Sequence, residues 1–460
     1  MPKINIKIKY QIGNLSLNKN NYEAIVLGRG PLGVFTCTNL LLQGYSVLNI
    51  DTGINLNNLR KKIIVDSNIE WKSKNEPPSL NVEASSFMWT GGCMGWPLGS
   101  LGNNLDQIPI KKEDFINSIK SITKYLNIND FDFTNNKPLD FNNQLSNSMT
   151  YTYLMQDYGF KDKIQSLENN KNYKFIDNAT SFEIIPGDEN EVLFIQDGNK
   201  LSYSSSKLFL CLGAIENTRV FLNSTKLSKL KYSDGLEIED HLRFPIAKFK
   251  ISNLYKFKKL FDKTKNSKNQ KYLWPRFTYE GFNKESYTFF RFWRYDNLFF
   301  RKFKINFLKK RIFNSGTCEL YLYVEKEKNK ISIESESKEI KNIKVSFNLD
   351  QEEISNINEL VSLYINKYKE NFGDLIIDTE IYTIDLKKDF LRTVESASHP
   401  SGMLKMGTNK ESSFVNKYSQ LWDFTNIYIF GSAVLPRPHY IHPTFPCLVL
   451  ADYSLNNLSS

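Results

Sequence analysis

Apolar residues run unbroken from Ala24 to Leu27, the pattern of a strand buried on both faces. A glycine-spaced turn follows. Val34 to Leu42 then carries a helix, Gly44 ends it, and Tyr45 to Ile50 is a second strand closed by Asp51. The same strand–glycine–helix order returns twice. Leu208 to Ala214 is an apolar strand ending in glycine, with a helix over Ile215 to Asn223. Asn426 to Ala433 is another, followed by a closing helix from about Thr444 to Tyr453. Between these units, Lys111 to Tyr125 has helical spacing. Tyr173 to Ser202 partly alternates and turns at Pro186-Gly187 and Asp197-Gly198, as an antiparallel ribbon does. Strand-like runs at Glu319–Val324, Lys330–Glu334 and Ile343–Asn348, with a helix over Val361–Phe372, predict a second domain with a substantial sheet.

Length and composition narrow the picture. A chain of 460 residues suggests two domains, and 41% hydrophobic residues can fill a sizeable core. The net charge of +10 comes mostly from lysines scattered among asparagines, so nucleic-acid binding is not expected. Five widely spaced cysteines, with no C-x-x-C, argue against a disulfide framework or a zinc site and fit a reducing compartment. No apolar run is long enough to span a membrane, and the first 20 residues lack the apolar core of a signal peptide, so a cytoplasmic location is expected. Residues 287–313 mix aromatics with arginines and lysines. They are read as a core segment whose cations face water, in preference to a peripheral membrane contact or an acidic-partner surface.

The candidate chemistry begins in the first turn. Gly28-Arg29-Gly30-Pro31-Leu32-Gly33 matches G-x-G-x-x-G inside a complete strand–helix–strand unit. Gly28 permits the tight turn, Gly30 lets backbone approach a pyrophosphate, and Gly33 lets helix and strand pack closely. Pro31 and Leu32 lie at the helix start, whose N–H groups and dipole favour phosphate. Asp51 stands 18 residues after Gly33, where a carboxylate can take a ribose diol. A second glycine-rich stretch, residues 87–99, interleaves bulky apolar side chains with glycines. It reads equally as a ligand-facing loop or as a buried interdomain loop. Three of the four histidines, His399, His439 and His442, fall in the last 62 residues. Imidazole is the side chain suited to moving protons near neutral pH. Metal binding is disfavoured because His439 and His442 sit in a proline-bound segment without companion ligands. Neither G-x-S-x-G nor a P-loop signature is present.

In order along the chain, GRGPLG with Asp51, TGGCMGW at 90–96, LFLCLGAIENTR at 208–219, IEDHLRFP at 238–245, SHPSGMLKMG at 398–407 and residues 426–451 together resemble the glucose–methanol–choline (GMC) oxidoreductases. The closest likeness is to the branch of pyranose oxidase-like and sugar dehydrogenase-like flavoproteins. The resemblance implies an α/β fold: a Rossmann-like FAD-binding domain with a second, α+β substrate domain on a mostly antiparallel sheet. It divides the chain into a discontinuous FAD-binding domain, 1–105, 172–240 and 392–460, and a substrate domain, 106–171 and 241–391. Beyond the first turn and Asp51, it implies cofactor contacts from Gly91, Gly92, Met94 and Trp96, from Gly213 and Ala214, and from Gly431, Ser432, Pro443 and Thr444.

The resemblance further implies a histidine pair, His399 and His442, which stand 43 residues apart. One would take the hydroxyl proton of a sugar or other alcohol while the carbon's hydride passes to flavin N5. Gly95 precedes Trp96, where pyranose oxidases carry a flavin-linking histidine, so FAD is expected to be non-covalent. The alternative is a flavin-binding scaffold acting through its basic–aromatic surface. An NAD(P) dehydrogenase is disfavoured by the C-terminal landmarks. The substrate, and the choice between oxygen and another acceptor, stay open.

Overall fold

A computed structural model describes residues 22–52, 63–67, 92–94, 108–128, 148–155, 158–228, 236–253, 256–257, 270–277, 286–292, 316–333, 339–382, 395–396, 399–437 and 443–458. In chain order the elements open with β1 (Tyr22–Leu27), α1 (Pro31–Leu42), β2 (Val47–Ile50), β3 (Ile63–Ser67) and β4 (Gly92–Met94). Next come α2 (Lys112–Tyr125), β5 (Ser148–Met155), α3 (Phe160–Glu168), β6 (Tyr173–Ile176), β7 (Ala179–Ile185), β8 (Asn190–Gln196) and β9 (Asn199–Leu210). They are followed by α4 (Ala214–Asn223), α5 (Thr225–Ser228), β10 (Leu236–Ile251), β11 (Gln270–Phe277), β12 (Ser286–Phe292) and β13 (Gly316–Ile333). The rest are β14 (Ile343–Phe347), α6 (Gln351–Phe372), β15 (Ile376–Ile381), β16 (Glu395–Ser396), β17 (Gln420–Leu421), β18 (Phe424–Ile429), a 3-10 turn (Ser432–Val434) and α7 (Thr444–Leu455).

The first sheet runs β17-β18-β9-β1-β2-β6, and from β18 to β6 every pairing is parallel. Its central strands are apolar where the core covers them, as expected of a buried parallel sheet. Ala24 to Leu27 and Leu208 to Leu210 are fully buried. The ribbon β7–β8 joins the N-terminal half of β9, and both of its expected turns are present.

The second sheet is antiparallel except at one edge, in the order β15-β10-β13-β14-β3, with β12 on β13 and β16 on β10. The two short strands expected within 319–334 are one 18-residue strand, β13. Its core lies against α6, where Ile354, Ile357, Val361, Tyr364, Ile365 and Tyr368 are buried at helical spacing. That helix begins ten residues before the expected Val361. Asp350 accepts the Glu353 N–H at 2.8 Å while the Glu353 carboxylate takes the Asp350 N–H, a reciprocal cap that starts it. A third sheet, β11-β5-β4, is antiparallel.

Phe115, Ile119 and Ile122 of α2, and Phe160, Ile164 and Leu167 of α3, lie in the same core as β1, β9 and α7. The same cluster takes in Tyr321, Ile331, Ile343 and Val345 of β13 and β14, so it runs between the two sheets.

Candidate functional site: a glycine cradle and a histidine loop at one sheet edge

The C-terminal ends of β1, β9 and β18 lie side by side, and each runs into a glycine with positive φ. Gly28 has φ +99°, Gly213 +86° and Gly431 +133°. A Cβ on Gly28 would stand 2.4 Å from the Cys211 carbonyl oxygen, and one on Gly33 would stand 2.0 Å from that of Gly28. No other residue fits at either position. Gly30 is the N-cap of α1 in extended conformation, no side chain caps the helix, Pro31 opens it, and no acid lies in its first turn. Its start therefore favours an anion. Leu32 packs partly buried against the core.

Asp51 closes the other side. Its N–H donates to Ile176 O at 3.0 Å, its carbonyl accepts from Ala179 N at 2.9 Å, and its carboxylate accepts the Arg29 N–H at 2.7 Å. The acid and the glycine turn are thus joined before any ligand is considered. Asn49, buried in β2, donates to Val26 O and Gly28 O, and Tyr173 donates its phenol proton to Asn49 Oδ1 at 3.0 Å. Burial raises the Tyr173 phenol far above its ordinary range, so it remains a donor.

Asn217 of α4 does similar work between the other two strands. Its amide donates to Leu210 O and Phe430 O, and its Oδ1 accepts the Leu212 N–H at 2.9 Å. This single side chain ties the ends of β9 and β18 together beside Gly213, Ala214 and Gly431. No role was read for it in the sequence, although it lies within the LFLCLGAIENTR landmark.

His399 is buried, and its loop is stapled from two directions. Toward β10, its backbone N–H donates to Asp240 Oδ1 at 3.0 Å, and Ser401 and Glu239 exchange both backbone hydrogen bonds. Toward the first sheet, Ser432 Oγ donates to Pro400 O at 2.7 Å, and the N–H groups of Leu404 and Met406 donate to Ala433 O and Val434 O. The loop with His399 therefore stands against the turn that begins at Gly431. His241 lies edge-on to His399, with ring centroids 5.9 Å apart at 89°. Asp240 and His241 lie in the IEDHLRFP landmark, but neither was singled out. The pattern does not reveal that a β-strand of the second sheet passes behind the loop. Ser401 Oγ, fully buried, makes no hydrogen bond among the described residues.

Lys405 bridges the same two elements through Glu239 Oε1 at 3.0 Å and Glu237 Oε2 at 3.3 Å. Burial disfavours its charge, yet the two carboxylates outweigh this and raise its pKa above the ordinary lysine value.

His439, His442, Gly91 and Trp96 lie outside the described residues, and so does the 293–313 part of the basic–aromatic segment. Gly92 and Met94 lie in β4, paired with Met155 and Tyr153 of β5. Pro443 is the N-cap of α7 and Thr444 its first residue. No side chain caps this helix and no acid lies in its first turn. No metal-ligating cluster is found among the described residues, and no helix there is long and apolar enough to cross a membrane.

The cradle fits a dinucleotide. Three strand ends at one edge, close-approach glycines and an uncapped helix start leave room and N–H groups where a pyrophosphate would lie. The histidine loop stands at the same edge.

The GMC oxidoreductase family model matches residues 326–451, a region that takes in the His399 loop, the turn after β18 and His442. No curated protein matches the sequence. Among solved structures, the fold is similar to that of pyridoxine 4-oxidase from Mesorbium loti. The TM-score is 0.55 at 10% identity, covering 94% of this chain and 98% of that one. It is also similar to a formate oxidase from Aspergillus oryzae RIB40, in a variant examined for its effect on FAD modification. There the TM-score is 0.53 at 11% identity, covering 95% and 97%. A further formate oxidase structure gives 0.51 at 11% identity. The sequence match is confined to residues 326–451, while the fold is shared along more than nine tenths of the chain.

Proposed function

We propose that the protein binds FAD non-covalently and oxidises a hydroxyl group of a sugar or other polyhydroxylated alcohol, with His399 as the base. The observation that carries this reading is the Ser432–Pro400 hydrogen bond, which holds the His399 loop against the glycine turn of the cofactor cradle. A base for the substrate and a seat for the cofactor then share one edge of one sheet. Bound FAD supplies a two-electron acceptor for the hydride of the carbinol carbon.

The chain's own residues do the rest. Gly28, Gly30 and Gly33 admit the pyrophosphate, Asp51 accepts from the ribose, and Gly213, Ala214, Gly431 and Ser432 line the cradle. Neutral His399 would take the hydroxyl proton of the alcohol, and the two-electron chemistry that completes its oxidation to a carbonyl is what bound FAD would supply. His442 is its partner in this reading, orienting the same oxygen. Asp240 holds the loop by its backbone and leaves the imidazole to act.

Purified protein is expected to be yellow and to release FAD on denaturation. A panel of sugars, cyclitols and other polyols should contain one that bleaches the flavin anaerobically. His399→Ala should keep the flavin and lose the bleaching. Colourless protein that takes up no FAD overturns the reading, and wild-type reduction rates in His399→Ala overturn the base.

A further inference from the structure

The residue between the first two glycines has no role in the glycine motif, where x stands for any side chain. Here it is Arg29, and it is heavily engaged. Its guanidinium carbon lies 3.8 Å from the ring centroid of Phe175, a stacking distance. One guanidinium nitrogen is ion-paired with Glu168 at the end of α3. Its backbone N–H is the group bound by Asp51. Phe175 sits opposite Asn49 in β6, one residue before the strand's end. Arg29, Asp51 and Phe175 therefore gather at the C-terminal edge of β1, β2 and β6, where an open parallel sheet receives a nucleotide. The arginine side chain keeps 17% of its surface exposed there.

Two ligand groups could use that exposed surface, a phosphate or a base. The charge balance separates them. Glu168 already offsets the guanidinium charge, while Asp51 is held at the backbone N–H. An anion would meet a cation whose charge Glu168 already balances. A guanidinium plane is flat and weakly hydrated, and it stacks well on an aromatic ring.

We propose that Arg29 is a binding residue for the adenosine half of the dinucleotide, its guanidinium stacked between the Phe175 ring and the adenine. The inference rests on the dinucleotide reading of the glycine cradle. It adds a side chain that orients the base while Asp51 holds the ribose. Arg29 then also couples occupancy to the loop, because the same residue's N–H fixes Asp51.

ADP is the probe, titrated calorimetrically into the full-length, flavin-stripped protein, with FAD uptake followed in parallel. Arg29→Met removes plane and charge, Arg29→Lys keeps charge but loses the plane, and Glu168→Gln keeps the plane but frees the charge. Both arginine variants are expected to bind ADP at least tenfold more weakly, with unchanged unfolding midpoints in the absence of ligand. Glu168→Gln should stay within threefold of wild type. Wild-type ADP affinity in Arg29→Lys overturns the stacking, and that variant decides if Arg29→Met does not fold. A tenfold gain in Glu168→Gln also overturns it, because it reveals a phosphate contact. Wild-type protein that binds ADP but no FAD sinks the flavin reading and leaves Arg29 standing, whereas protein that binds neither sinks both.

Discussion

The Asp240 carboxylate accepts the backbone N–H of His399 at 3.0 Å across 159 residues of chain, and the same oxygen accepts the N–H of His241 at 2.7 Å. One buried side chain thus fixes where the histidine loop meets the second sheet. Asp240→Ala leaves two buried N–H groups without their acceptor, at a cost of about 1–3 kcal/mol each. Its denaturation midpoint should fall. Any flavin retained should be reduced by substrate at least about tenfold more slowly, as a displaced base predicts. Wild-type reduction in a destabilised Asp240→Ala would separate the anchor from the chemistry.

Glycine substitutions should sort by what a Cβ meets. Gly28→Ala drives carbon to 2.4 Å from a backbone oxygen at positive φ, and Gly33→Ala to 2.0 Å. Either should abolish cofactor retention after gel filtration. Gly44 has φ +92° but nothing within 4 Å, so Gly44→Ala should cost only about 1 kcal/mol of strain and keep the cofactor.

Asn217→Leu fills similar space but leaves the Leu212 N–H and the Phe430 carbonyl unpaired. A loss of about 2–4 kcal/mol is expected in urea unfolding, from two buried groups losing their partners. Asn217→Asp keeps the acceptor but turns a carboxylate toward two carbonyls, so it should do no better than leucine at neutral pH.

The Lys405 pair sets an alkaline limit. Its folded pKa lies above the ordinary value of about 10.4, so its contribution is complete below that pH and is lost as pH rises through the folded pKa. Lys405→Met should be less stable than wild type at pH 8, and the gap should close above about pH 10.4. A gap that widened with pH would contradict the assignment.

Cys37, Cys211, Cys318 and Cys447 are buried, free thiols. Burial pushes Cys211 up to about 12 despite a contact with Thr36, and raises the other three as well. At pH 8 these four should resist iodoacetamide in the native protein and react once it is unfolded, as read by mass spectrometry of the labelled peptides.

The nucleotide half of the fold was legible in the residues. The run Tyr22 to Asp51 carries its own apolar strands, turn glycines and helix stop within 30 positions. Local sterics decide such a unit, so β1, α1 and β2 lie where the pattern puts them, within three residues. The ribbon turns at Gly187 and Gly198, and the helix after Gly213, were readable for the same reason. The second domain was harder. Alternation marked strands but could not show that Glu319–Val324 and Lys330–Glu334 are one strand. The start of α6 was missed because its cap, Asp350 with Glu353, precedes the apolar stripe.

His399 could be singled out by sequence, since histidines are few and its loop is glycine-marked. What holds it could not. Asp240, Ser432 and Glu239 come from a strand and a turn 159, 33 and 160 residues away, and only the packed sheets bring them to one loop. Asp51 was visible at the strand end, but its bond to the Arg29 N–H, and the Arg29–Phe175 stack, depend on β6 lying beside β2. By itself the sequence determined the elements whose geometry is local: glycine turns, apolar strands, helix stops and a glycine-marked loop with a histidine. Tertiary structure alone decided which strand ends adjoin and which buried groups satisfy one another, because those hydrogen bonds join residues that no periodicity relates.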